Sequence, residues 1–395
     1  MPDARRLAAR LAGVAPSGTQ RITAEVDRLK RAGADIIDLG AGEPDAPTPD
    51  HIKAAAVAAL ADDFTRYTVG AGTIGLREAI AERYAARSGV EYSPDRIVVT
   101  SGGKQGLFNA AMALFGPGDE VITHAPGWPS IREQIRLAGA DLVLTRTHQE
   151  DGFALRAEVL LDAVTPRTRG IVINTPGNPT GALMVDDEVR QLADAIRGRG
   201  IWLLVDLCYD ELVYDEATPH DLPRVLAEHL DEQTVLIGSA SKSYAMTGWR
   251  CGWIVATAEV ASACNAIQSH STSHATSITQ RAAEAALRGP QDCLDSMRRE
   301  YRARRDALVG WMASDGRLPV VSPAGAFYLF PDVTAVLDGE GLRTSSDLAL
   351  ALLSEAHVAV TPGEAFDAPG HIRLSYTAPQ RQLERAWQRI RNYLA

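Results

Sequence analysis

Between about Asp50 and Gly289 the chain alternates two kinds of apolar pattern. In "HIKAAAVAALADD" and "LREAIAERYAARSG" apolar positions recur every three to four residues, which predicts two amphipathic helices, the second ended by a glycine. Around them, "RIVVT", "DEVITHA", "DLVLTRT", "RGIVINT", "WLLVDLCYD", "QTVLIGSAS" and "CGWIVAT" are apolar runs of strand length. Helical patterns such as "DDEVRQLADAIRGRG" separate several of them. Short runs apolar on both faces, alternating with helices, predict an α/β fold with a mainly parallel sheet sandwiched by helices.

After Gly289 the texture changes. A long charged helix, "CLDSMRREYRARRDALVGWMAS", precedes a strand in "GAFYLFP", a helix in "SSDLALALLSEA" and short strands in "VAVTP" and "HIRLSY". This is an α+β pattern, and 395 residues exceed what one simple core needs. Residues 47–289 are therefore expected to form a large domain, and residues 1–46 with 290–395 a smaller α+β domain. A short helix is expected in "MPDARRLAARLAGVAPSG", which lacks the apolar segment of a secretory signal. No run approaches the roughly 18 apolar residues of a membrane span.

Composition narrows the partners. A formal charge of −10 argues against a nucleic-acid backbone. The four cysteines form neither a CxxC pair nor a ladder, so they read as thiols in a reducing cytoplasm.

Several stretches carry candidate chemistry. "GAGTIG" fits a dinucleotide fingerprint but lacks a buried strand before it, which favours a plain glycine loop. His270 and His274 have metal-pair spacing, but their Ser/Thr-rich surroundings disfavour a helix and no third ligand sits nearby. No metal is expected. Gly102 and Gly103, between a strand and a helix, leave N–H groups free beside Lys104, forming either an anion cradle or a tight turn. "NTPGNPTG" is either a rigid connection or a mount for Asn178 at a strand end. Asp206 ends an apolar strand with Tyr209 just beyond, and a carboxylate there needs a cation or a donor, a buried salt bridge being the plainer alternative. In "SASKSYAMTGWR" a single lysine, Lys242, lies among small and hydroxyl residues ahead of Arg250.

Taken in order, and with the blocks "GAGEPD", "NPTG" and "SKSYAMTGWR", these pieces resemble the fold-type-I pyridoxal-phosphate enzymes. The closest likeness is to class I aminotransferases related to bacterial aspartate aminotransferases, from about Leu39 to Tyr376. The resemblance implies a homodimer with shared active sites that passes an amino group from an amino acid to a 2-oxo acid. It implies that Lys242 forms a Schiff base with pyridoxal 5'-phosphate and moves the substrate proton, and that Asp206 holds the ring nitrogen. Asn178 and Tyr209 would bond the ring oxygen, and Trp128 would stack on the ring. Arg250, Ser239, Gly102, Gly103 and the Lys104 backbone would hold the phosphate, with Tyr67 reaching the partner subunit's phosphate. Arg373, with Asn178 and the Gly42 backbone, would take the substrate α-carboxylate. Lys104 would attract a distal carboxylate, favouring aspartate or glutamate.

Cofactor motifs do not separate transamination from elimination or replacement, as in enzymes similar to aminocyclopropane-carboxylate synthase. A non-enzymatic likeness, the sensor half of a transcription regulator, sits poorly with an acidic chain. Three departures from the family pattern, Gly127, Leu207 and His274, lead us to expect an enlarged or altered substrate pocket.

Overall fold

The runs read as strands do pair, and their register decides which residues meet. The computed structural model describes residues 18–214, 220–337 and 341–395, with Ala8, Leu11 and Val14. The strands in chain order are β1 (Ile37–Asp38), β2 (Ile97–Thr100), β3 (Glu120–Ala125), β4 (Asp141–Arg146), β5 (Thr168–Asn174), β6 (Trp202–Asp206), β7 (Thr234–Ser239), β8 (Gly252–Val255), β9 (Tyr328–Leu329), β10 (Val358–Ala359), β11 (Thr361–Pro362) and β12 (Ile372–Ser375).

A seven-stranded sheet runs in the order β2-β8-β7-β6-β5-β3-β4. Strand β8 is antiparallel to both its neighbours, and the other pairings are parallel. The mainly parallel sheet expected from the pattern is thus present. Helices cover both faces, as parallel strands require. One face packs Ile80, Leu192 and Leu226 from helices Ile74–Ser88, Asp186–Ile196 and Leu222–His229. The other packs Leu107, Ile131 and Val260 from helices Gly103–Leu114, Pro129–Leu137 and Ala258–Ser269. Gly89, at φ 67°, stops the first of these helices as its sequence predicts.

A second core gathers helices Asp292–Asp315, Ser345–Ser354 and Gln380–Tyr393 around the parallel pair β1–β10 and the antiparallel sheet β11-β12-β9. Val26 from helix Gly18–Arg31 joins it, as do Tyr209 and Leu212 from just beyond β6. The chain after β6 therefore leaves one core for the other. Strand β9 is shorter than "GAFYLFP" suggests, because Ala326 takes a left-handed φ of 59° before it and Pro331 offers no N–H after it. "VAVTP" divides into β10 and β11. Helix Ala258–Ser269 stops at His270, so "SHSTSHATS" is irregular, as its composition implies. The expected helix in the first residues falls largely outside the described part. Among the described residues, no helix is long and apolar enough to cross a membrane.

Candidate active site

Register brings the strand ends into one place. Asn174 of β5 lies opposite Asp206 of β6, and Asp206 opposite Ile237 of β7. The segments after these residues carry Asn178, Tyr209 and Lys242. In an open sheet, that crevice beyond the carboxyl ends is where ligands dock.

One end of the crevice is a glycine turn. Gly102 has φ 86°, and a Cβ there would stand 2.4 Å from Arg250 Nη2, so the missing side chain is the room the guanidinium uses. Gly252 serves the same corner, because a Cβ on it would fall 2.3 Å from the Gly103 nitrogen. Arg250 itself has φ 58°. It donates to the Thr247 carbonyl at 2.8 Å and the Ser101 carbonyl at 3.4 Å, and no carboxylate pairs with it among the described residues. Ser239 Oγ accepts from the Ser241 N–H at 3.1 Å and donates to the Cys251 carbonyl at 3.4 Å.

At the centre, Lys242 Nζ donates to the Gly42 carbonyl at 2.5 Å. Burial lowers the pKa of this amine, against the pull of Cys208 and Glu43, while Arg373 and Arg250 lower it further. Asp206, 4% exposed, accepts from the Cys208 N–H at 3.0 Å. Burial pushes its carboxyl up to about 7; the Cys208 N–H and Lys242 oppose the rise and the charge of Asp210 adds to it. The Tyr209 and Tyr328 hydroxyls are 2.7 Å apart, and burial holds the Tyr209 phenol well above its ordinary range.

The far wall is Arg373, 4% exposed. It donates to Asn178 Oδ1 at 2.9 Å, to the Gly40 carbonyl at 2.7 Å and to Thr361 Oγ1 at 3.4 Å. Its guanidinium lies 4.3 Å from the Tyr328 ring centre and 5.1 Å from that of Phe366. Its Nε is buried without a partner. Asn178 is set by its own N–H, which donates to Asn174 Oδ1 at 2.8 Å. Lys104 reaches over the Trp128 ring at 4.9 Å. Lys104 lines a cleft of about 1420 Å³ together with Ser101, Arg132 and Arg250.

The family model for aminotransferases of class I and II matches residues 34–390. The chain belongs to that family. The aminotransferase is 39% identical to the aspartate aminotransferase of Geobacillus stearothermophilus over 98% of its own length and 99% of the relative's. It is 40% identical to a probable aspartate/prephenate aminotransferase of Aquifex aeolicus, over 98% of each chain. Among solved structures, the Thermus thermophilus aspartate aminotransferase with maleate superimposes with a TM-score of 0.91 at 38% identity, covering 98% of this chain and 100% of that one.

Of the residues singled out in sequence, the aminotransferase brings together Gly42, Gly102, Gly103, Lys104, Trp128, Asn178, Asp206, Tyr209, Ser239, Lys242, Arg250 and Arg373 around one crevice. Tyr67 stands apart at 90% exposure, its ring edge-on to His274 at 5.6 Å. Two of the expected departures have roles in the fold. A Cβ at Gly127 would fall 2.3 Å from the His124 carbonyl oxygen, so this glycine relieves the backbone at the turn before Trp128. Leu207 is buried in the core of the large sheet and faces away from the crevice. His274 accepts from the Thr68 N–H at 3.3 Å and bonds the Ala275 carbonyl at 2.7 Å, bracing the Tyr67 loop.

Sequence reasoning missed Tyr328, Phe366 and His124. Tyr328 was hidden in an apolar run, and only the β12–β9 register brings it beside Arg373; Phe366 sits in the short turn Gly363–Phe366 after β11, a stretch with no apolar period to mark it. His124 ends an apolar strand; it bonds the Pro126 carbonyl at 3.0 Å and accepts from the Asn174 N–H at 3.4 Å. Burial drops its pKa to about 4, so the ring is a neutral strut joining β3, β5 and the Trp128 turn.

Proposed function

We propose that this aminotransferase uses pyridoxal 5'-phosphate, works as a homodimer, and moves the amino group of an acidic amino acid such as aspartate onto a 2-oxo acid. The observation that carries the reading is Arg373: a buried guanidinium, bonded only to neutral oxygens, across from the Lys242 amine. A charge so placed calls for an anionic partner, and an amino acid's α-carboxylate supplies it. The names of the relatives support aspartate as the substrate.

The residues fit the cofactor. Asp206 is a carboxyl whose pKa burial raises, and a protonated pyridine nitrogen beside it would favour its charged form. The room left by Gly102, with Gly103, the Lys104 backbone, Ser239 and Arg250, suits a phosphate at the start of a helix. Asn178 and Tyr209 would bond the ring oxygen, and Trp128 would cover the ring face. The exposed Tyr67 suits a phosphate in a partner subunit. When bound, the cofactor supplies an electron sink for the charge left at the substrate α-carbon.

The rest is work for the chain. Arg373 forks onto the α-carboxylate and fixes the direction of the Cα–H bond. Lys242 Nζ, whose pKa burial lowers, takes that proton and returns it. Lys104, at the cleft mouth, draws the distal carboxylate. The names of the relatives favour transamination over elimination or replacement chemistry. We also propose the two-domain division at residues 47 and 289, and a cytoplasmic setting in keeping with four free thiols.

The test is an absorbance scan of the purified holoenzyme with a panel of amino acids. Aspartate should convert the cofactor to its amino form, and a 2-oxo acid should restore it. Conversion by a bulky neutral amino acid but not by aspartate or glutamate would overturn the acidic-substrate reading.

A further inference from the structure

Arg373 is held by more than its hydrogen bonds. Phe366, fully buried beside the guanidinium, sits in the turn Gly363–Phe366 that ends at Asp367. Asp367 has a left-handed φ of 57° and its carboxylate pairs with Arg132. Arg132 also donates to the Ala365 carbonyl at 3.3 Å. Arg146, at the end of β4, donates to the Asp367 carbonyl at 2.8 Å. The Gly127 N–H donates to the Phe366 carbonyl at 3.3 Å.

Arg132, Arg146 and Gly127 all belong to the side of the molecule built on the seven-stranded sheet. Arg132 lies on helix Pro129–Leu137, which starts directly after Trp128. The other anchor of the turn is Glu364, which accepts from the Ser345 N–H at 3.0 Å and from Ser346 Oγ at 3.1 Å, at the start of helix Ser345–Ser354. The turn is thus tied at one end to the second core and at the other to the wall carrying Trp128.

The geometry points to Arg132 and Asp367 as positioning residues: their pairing fixes Phe366, and through it Arg373, relative to the Trp128 wall, and so sets how tightly carboxylates are held. This rests on the reading of Arg373 as the carboxylate-binding residue. The predicted signature is a loss of carboxylate affinity larger than any loss of cofactor affinity, because Arg132 and Asp367 are not among the residues assigned to the cofactor, of which Asn178 bonds Arg373 directly.

Asp367→Asn is a clean probe, since asparagine tolerates the left-handed backbone while losing the charge. The set is completed by Arg132→Gln, the double variant and Arg373→Lys. Each is studied as holoenzyme for maleate affinity by calorimetry, for aspartate KM and kcat, and for cofactor affinity. A misplaced Arg373 should raise the maleate Kd and the aspartate KM about tenfold in each latch variant. The kcat should fall as well, by less than the KM rises, because a displaced Arg373 also orients the Cα–H bond less well. The double variant should be little worse than Arg132→Gln, because the two substitutions share the Arg132–Asp367 contact. Maleate affinity unchanged in the latch variants would overturn the proposal, as would a parallel fall in cofactor affinity, the mark of a general folding brace. Arg373→Lys retaining full maleate affinity would instead overturn the carboxylate reading on which the latch rests.

Discussion

At the scale of single residues, Asp206 is the group whose charge depends most on what binds beside it. Burial holds its pKa at about 7, against 3.8 ordinarily, although Lys242 pulls it down. The native state then keeps a proton that the unfolded chain has already released, so stability falls as pH rises from about 4 to 7. The penalty is fully present above the folded value and absent below the unfolded one. Cofactor-free protein should therefore lose stability across that window, by an amount on the order of a few kcal/mol. Asp206→Asn should flatten the dependence in pH-resolved thermal unfolding. Cofactor binding should remove most of the difference between the two by supplying a cation, and the variant should lose activity. Gly102→Ala tests the opposite corner. It asks a left-handed position to accept a Cβ and pushes one toward Arg250, so cofactor affinity, followed by titration, should drop at least about tenfold while the sheet stays folded. These residues were legible in the sequence because each carries unusual chemistry at a strand end. Tyr328 was not, since a tyrosine inside an apolar run reads as core until its register is known.

At the scale of elements, the segment after β6 is clamped by charge. Glu211 is buried and takes Arg83 at 2.6 Å, Arg87 at 3.2 Å and Arg298 at 3.6 Å, while Arg87 also holds Asp210 at 2.6 Å. Arg83 and Arg87 come from helix Ile74–Ser88 and Arg298 from helix Asp292–Asp315, so three elements from two cores meet directly behind Tyr209. Burial pushes the Glu211 carboxyl up, but Arg87, Arg83 and Arg298 outweigh it and hold the pKa below the ordinary value. Its stabilising share is present above the unfolded pKa and fades as pH falls through the folded one. Glu211→Ala strands the arginines and should destabilise by about 3 kcal/mol, read from urea unfolding midpoints. The sequence marked every strand of the large sheet because buried parallel strands are nearly continuous apolar runs. It could not order them, since adjacency comes from crossovers whose helices look alike. The short strands of the second core blurred for another reason. Two-residue pairings, as in β10 and β11, are too brief to leave a period.

At the scale of the whole molecule, the crevice of one chain lacks Tyr67, which points into solvent on a loop braced by buried glutamines. Gln280 accepts from the Thr73 N–H at 2.7 Å and donates to Thr68 Oγ1 at 3.0 Å, and Gln268 donates to the Gly70 carbonyl at 2.8 Å. A rigidly mounted, exposed tyrosine fits the proposed exchange between subunits. Tyr67→Phe should weaken cofactor binding several-fold, by about 1 kcal/mol for one hydroxyl bond, without changing the mass seen in sedimentation. A monomer that binds cofactor normally would refute the shared site.

The sheet order has a consequence in time as well as in space. Strand β2 has one neighbour in the large sheet, β8, and Ile97 pairs with Val255. A nascent chain that has emerged only as far as β7 has made six of the seven strands, yet β2 still has no partner and the turn at Gly102 has nothing behind it. Closing so long a loop is slow. The corner proposed to hold the phosphate should therefore be among the last parts of the sheet to mature on the ribosome, completed only after Gly252 has been made.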